Sequence, residues 1–150
     1  MPLPTIATPT YELILPSTGK KLKYRPFLVK EEKLLILALE SKDQFEITNS
    51  VKDVLKECVI TKGIEIDDLP TFDIEYIFLN IRAKSIGEDI NVIVKCPDDR
   101  KTEVPVTIFV DEIKVVKSKE HKKDISLDKD MTLRMKYPSL NQFIENNFDM

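Results

Sequence analysis

The sequence predicts an α+β fold: an N-terminal β-hairpin, three central helices, a second β-hairpin with an added strand, and a C-terminal helix. Three observations carry this reading. Apolar and polar residues alternate with period two from Tyr11 to Arg25, and again from Asp89 to Val110. Between those stretches apolar residues recur every three or four positions, the spacing of one helix face. Strands and helices fall in separate blocks along the chain, which is the α+β order rather than a repeating βαβ one.

Composition sets the bounds. The 150 residues, 42 % hydrophobic, suffice for one compact domain, read here as 11–150 preceded by an arm over 1–10. The net charge of −3 supplies no basic field for nucleic acid. Only three glycines are present, against a turn-dense sandwich or a glycine-lined phosphate cradle. Cys58 and Cys96 cannot form a disulfide framework. Met1 to Thr10 lacks the basic start and apolar core of a secretory leader. The longest apolar run, Leu34 to Leu39, is far short of the roughly 20 residues that span a bilayer. A soluble protein of a reducing cytoplasm is expected, with no membrane partner.

Taken in order, Pro2, Pro4 and Pro9 make residues 1–10 an extended arm or an untethered terminus. Tyr11, Leu13 and Leu15 share one face of a strand, Pro16 to Gly19 supply a turn, and Lys21, Lys23 and Arg25 alternate with Leu22 and Tyr24 on the return. Pro26 closes that strand. Lys30 to Ser41 reads as a helix with Glu31 and Glu32 in its first turn, where carboxylates complement the helix dipole. Its run from Leu34 to Leu39 is apolar all round, so it is expected to be covered on most sides.

A second helix is expected from Ser50 to Ile60, capped by Asn49 or Ser50, with Val51, Val54, Leu55 and Cys58 inward. A third runs from Phe72 to Ser85. Ile74, Ile77, Phe78 and Ile81 form its buried stripe, Asp73, Glu75, Arg82 and Lys84 face water, and Gly87 helps to end it. Strands Asp89 to Cys96 and Thr102 to Val110 flank the turn Pro97 to Lys101, with Pro105 marking an edge or a bulge. Lys117 to Asp124 is a charged break. Met131, Leu133 and Met135 mark the added strand, and Ser139 to Gln142 opens the last helix with a capping box. Leu140, Phe143 and Ile144 form its apolar side. That helix stops after scarcely three turns at Met150, so a truncated or continued C-terminus is expected.

The most individual stretch is Tyr24-Arg25-Pro26-Phe27-Leu28-Val29-Lys30-Glu31-Glu32-Lys33-Leu34-Leu35, continuing through Ala38-Leu39-Glu40-Ser41. It resembles a signature of the T4-type phage baseplate hub family, whose members join a short N-terminal hairpin to this helix. Val94-Lys95-Cys96-Pro97-Asp98-Asp99 is similar to that family's middle hairpin. Together these cover most of residues 11–110. The resemblance implies a structural or assembly component of the central hub of a contractile tail baseplate. Its expected partners are other baseplate and tail proteins, and its expected place is the virion tail baseplate, or the host cytoplasm during assembly. It also implies no enzymatic activity.

The residues agree in lacking a recognisable catalytic, cofactor or metal motif. Cys58, Cys96 and His121 have no metal-ligand spacing, and no Gly-x-Ser-x-Gly elbow, Walker sequence or dinucleotide fingerprint occurs. The acid pairs Glu31-Glu32, Asp67-Asp68 and Asp98-Asp99 sit where caps and turns recruit carboxylates for local reasons. Two basic strips, Lys20 to Arg25 and Lys114 to Lys123, lack interleaved aromatics for base stacking. They read as solvated faces or as steering for an acidic protein. A small enzyme with an unrecognised site and a nucleic-acid module are the alternatives to the assembly reading.

The expected partner contact is the corner formed by Tyr24, Arg25, Phe27, Leu28, Lys30, Glu31 and Lys33. There Arg25 could grip a carboxylate and Phe27 fill a pocket. The competing reading folds Phe27 and Leu28 back on the chain's own core.

Overall fold

A computed structural model describes residues 7–148, so residues 1–6 of the expected arm lie outside it. Strands β1 (Tyr11–Ile14) and β2 (Lys21–Tyr24) pair antiparallel, Tyr11 opposite Tyr24 and Leu13 opposite Leu22. Leu13, Leu15, Leu22 and Tyr24 form the buried side of this hairpin. Its turn closes with the Gly19 N–H donating to the Leu15 carbonyl at 2.8 Å, and Gly19 takes φ +71°, a conformation that disfavours any side chain.

Helix α1 (Val29–Ser41) ends at Lys42, whose left-handed backbone lets its N–H bond the Leu39 carbonyl at 3.3 Å. Helix α2 (Gln44–Cys58) then starts at once, well before the expected Ser50. Asp43 is its cap, accepting from the Phe45 N–H at 2.8 Å and the Glu46 N–H at 3.5 Å. The expected caps Asn49 and Ser50 lie inside the helix, because the acid just after the α1 terminus meets the orphan N–H groups first.

Helix α3 (Thr71–Ser85) buries Ile74, Ile77 and Ile81 and half-buries Phe78, the expected stripe. Asp73 is a correction. Expected in water, it is fully buried, accepting the Ser17 N–H at 3.0 Å and the Ser17 hydroxyl. A partner on the turn of the first hairpin draws this carboxylate inward.

Strands β3 (Asp89–Lys95) and β4 (Glu103–Phe109) form the second hairpin, with Ile90 opposite Ile108, Val92 opposite Val106 and Val94 opposite Val104. The added strand does not join it. Strand β6 (Thr132–Arg134) pairs instead with β5 (Asp124–Ser126), making a third hairpin braced by Arg134 Nε on Asp124 Oδ1 at 2.7 Å. The nearest strand-forming segment in sequence won over the more distant one, since a short loop costs least to close.

Helix α4 (Leu140–Phe148) opens with the expected box. Ser139 Oγ accepts the Gln142 N–H at 3.3 Å, and Gln142 Oε1 accepts the Ser139 N–H at 3.1 Å. The Leu140 N–H donates to the Leu69 carbonyl at 2.9 Å, which ties α4 to the loop before α3.

The core joins the first hairpin to α2, α3 and α4: Leu15, Leu22, Leu55, Ile77, Ile81 and Leu140 are among its centre. β3 to β6 add nothing to that cluster among the described residues. Residues 11–85 with α4 are therefore a packed body, and residues 89–135 form an arm anchored at Val110, which is buried.

Candidate protein-contact surface

At the corner the structure divides the expected contact residues into two groups. Tyr24 is buried, 5.8 Å from Tyr11 between ring centres, and burial pushes its hydroxyl pKa up. Arg25 Nη2 donates to Glu31 Oε1 at 2.9 Å, with Nη1 on the Pro26 carbonyl at 3.0 Å. Glu31 is only 1 % exposed. Its Oε2 also accepts the Leu28 N–H at 2.7 Å, and Lys30 Nζ lies 3.3 Å from its Oε1. Burial alone would raise the Glu31 pKa; Arg25, the Leu28 N–H and Lys30 outweigh it and hold the carboxyl below its ordinary range. The guanidinium fork that could serve a partner's carboxylate is thus engaged within the chain.

Phe27 is half-buried, its ring 5.8 Å from that of Phe78, and its N–H donates to Ser85 Oγ at 2.8 Å. Leu28, Lys30 and Lys33 point outward. The corner is a folded joint that presents those three and keeps Tyr24, Arg25 and Glu31 inside.

Beyond the corner, α1 reverses the expected pattern. Glu31 and Ala38 are its buried residues, Leu35 is half-buried, and Val29, Leu34, Ile36, Leu37 and Leu39 are each at least half exposed. Coverage on most sides is therefore not provided by the described residues. Among the described residues the helix packs chiefly against α2, to which only Lys42 and Asp43 join it. Sequence reasoning had the apolarity of this helix but not its cover, because periodicity describes one chain only.

The exposed face runs into a groove between α1, α2 and α3 of about 380 Å³, walled by Phe27, Leu35, Leu39, Val51, Phe78 and Ile86. A smaller hollow of about 250 Å³ lies between α2, α3 and α4, against Ile47, Val51, Ile74 and Leu140. Both are walled mainly by aliphatic and aromatic side chains, with Glu32 and Arg82 also lining the first and Thr48, Thr71 and Glu75 the second.

The candidate chemical groups are placed elsewhere. Cys58 is buried in the core, and burial pushes its thiol up to about 11. Cys96 stands at the turn of the second hairpin, and His121 Nε2 lies 2.6 Å from the Tyr137 hydroxyl with the two rings stacked. Among the described residues no three His, Cys, Asp or Glu side chains gather as a metal site, and no helix is long and apolar enough to cross a membrane.

One acid of each pair has local work, Glu31 at the corner among them. Asp67 bridges Lys52 at 2.8 Å and Lys56 at 2.7 Å, bracing the loop before α3 against α2. Asp99 accepts the N–H groups of Lys101 and Thr102, each at 3.0 Å; with the Thr102 hydroxyl these lower its pKa to about 2. Along the first basic strip, Lys23 pairs with Glu12 at 3.2 Å and Arg25 turns inward, whereas the second strip is exposed throughout. Asp73, the buried carboxylate that sequence reasoning missed, opens on neither groove; burial raises its pKa against the two Ser17 hydrogen bonds.

Comparison with known proteins gives one finding about kinship. The family described as T4 bacteriophage base plate protein matches residues 8–150. Searches of curated proteins and of solved structures find no match.

Proposed function

The chain belongs to the T4 bacteriophage base plate protein family, and from that premise we propose that it builds the central hub of the baseplate, acting through protein–protein contacts and without catalysis. The observation that carries this reading is the outward face of α1. A water-facing helix normally carries its charges outward, yet here five aliphatic side chains face out while a glutamate is buried. Apolar surface of that kind, leading into an apolar groove, is the mark of a face that another protein covers. Leu28, Lys30 and Lys33 extend the contact onto the corner, Phe27 forms its floor, and the Arg25–Glu31 pair with Tyr24 holds the joint rigid. The protein then occupies the tail baseplate, and the cytoplasm of the host while the hub is assembled.

The test is capture of the other baseplate proteins by Leu34→Glu/Leu37→Glu protein. Both side chains are half exposed, so the melting temperature should stay within a few degrees of wild type while capture is lost. Normal capture by this variant would move the interface off α1. Lys30→Ala/Lys33→Ala probes the rim and should weaken capture most at low salt.

A further inference from the structure

The two edges of the second hairpin are not equivalent. Val110 donates to the Glu88 carbonyl at 2.9 Å and Cys96 to the Thr102 carbonyl at 2.9 Å, which fixes the phase of the ladder between them. Ile90, Val92 and Val94 therefore bond β4, while the backbone groups of Asp89, Asn91, Ile93 and Lys95 point away from it. On β4 the outward positions include Pro105, opposite Ile93. Proline has no N–H, so a strand approaching the β4 edge meets a gap in the middle of its ladder. The β3 edge carries no such block. Among the described residues nothing pairs with it, and Ile93, next to its centre, is 68 % exposed.

We infer that β3 is a self-association edge, on which a second copy of this chain pairs its own β3 antiparallel about a two-fold axis at Val92. The charges select that register. Centring on Val92 sets Asp89 opposite Lys95 of the second copy and Lys95 opposite its Asp89, an attractive pair at each end. Asn91 then faces Ile93, and Ile90 faces Val94. A shift of two residues either way leaves both charges without their opposite. Because the operation is a two-fold, the interface is closed and does not propagate into a fibre.

The pairing also answers a weakness of the hairpin. A lone two-stranded hairpin is marginal in water, whereas a four-stranded sheet is not. Ile90, Val92, Val94, Val104, Val106 and Ile108 lie on one side of the hairpin, and pairing joins the two apolar faces into one. This inference rests on the strand edge alone and goes beyond the hub reading.

Sedimentation velocity on the full chain alone, over a concentration series, tests it. Wild type should show a reversible monomer–dimer equilibrium. Asp89→Lys and Lys95→Asp should each weaken dimerisation about tenfold, since each turns two attractive cross-strand pairs repulsive. The double variant Asp89→Lys/Lys95→Asp should restore it. Ile93→Pro removes an outward N–H that β4 does not use, and should give a monomer with the wild-type melting temperature. Wild type that stays monomeric throughout, or a double variant no better than the singles, would overturn the inference. The assay contains no other baseplate protein, so its failure leaves the hub reading untouched.

Discussion

The body and the arm are written in the same apolar alphabet and end in opposite states. In the first hairpin Leu13 and Leu22 face each other and are both buried. In the second, Val94 and Val104 face each other in the same antiparallel geometry, and both are about half exposed. Strand length does not explain it, since β3 and β4 are the longer pair. What differs is cover: α2 and α3 share the core of the first hairpin, and among the described residues no helix buries the second. Alternation fixes which side of a strand is apolar, and only the neighbours decide whether that side is dry.

The largest expected effect follows directly. Ile77→Asp places an unpaired charge at the centre of the body and should abolish cooperative folding, because the cost of several kcal/mol rivals the roughly 5–15 kcal/mol stability of a domain. Val106→Asp, the same chemistry in the arm, should shift the melting temperature by only a few degrees. Equal losses from the two would erase the distinction between body and arm.

Next in size is the corner joint. Arg25→Ala strands the buried Glu31 carboxylate and should cost about 3 kcal/mol by chemical denaturation. Glu31→Gln should also destabilise at neutral pH, and the gap should close on acidification. The sign follows from its lowered pKa: the stabilisation is present above the ordinary value of 4.5 and is lost as pH falls through the folded value.

Asp73 gives the opposite slope. Its folded pKa is raised, so its contribution is complete below the ordinary 3.8 and is lost as pH rises through the folded value. Asp73→Asn should therefore gain on wild type between acid and neutral pH, read as the difference in melting temperature across that range. Smallest of all, Ser139→Ala removes one half of the α4 box and should cost about 1 kcal/mol.

These residues also mark how far the sequence could be read. The α3 stripe, the α4 capping box and the alternating strands depend on neighbours a few positions away, and local pattern revealed them. The burial of Asp73 depends on Ser17, far away in the chain, so no local pattern could signal it. The Arg25–Glu31 pair stood between these cases. Six positions apart across a proline, it reads equally as a free guanidinium or a closed joint until the turn is known. The strand β5 is only three residues long beside a lysine-rich run, too short for alternation to register. The exposure of α1 was beyond sequence for another reason: an apolar helix looks the same whether its own chain or another covers it.

Amide hydrogen exchange on the full chain, alone and then bound to the other baseplate proteins, tests most directly whether cover comes from outside. Alone, and dilute enough to be monomeric, amides of α2 and α3 should exchange only through global unfolding, while those of β3 to β6 exchange orders of magnitude faster through local opening. On binding, the large gain in protection should fall on α1 and the arm. Protection in the free arm equal to that of the body, or a complex that leaves α1 and the arm unchanged, would contradict the account.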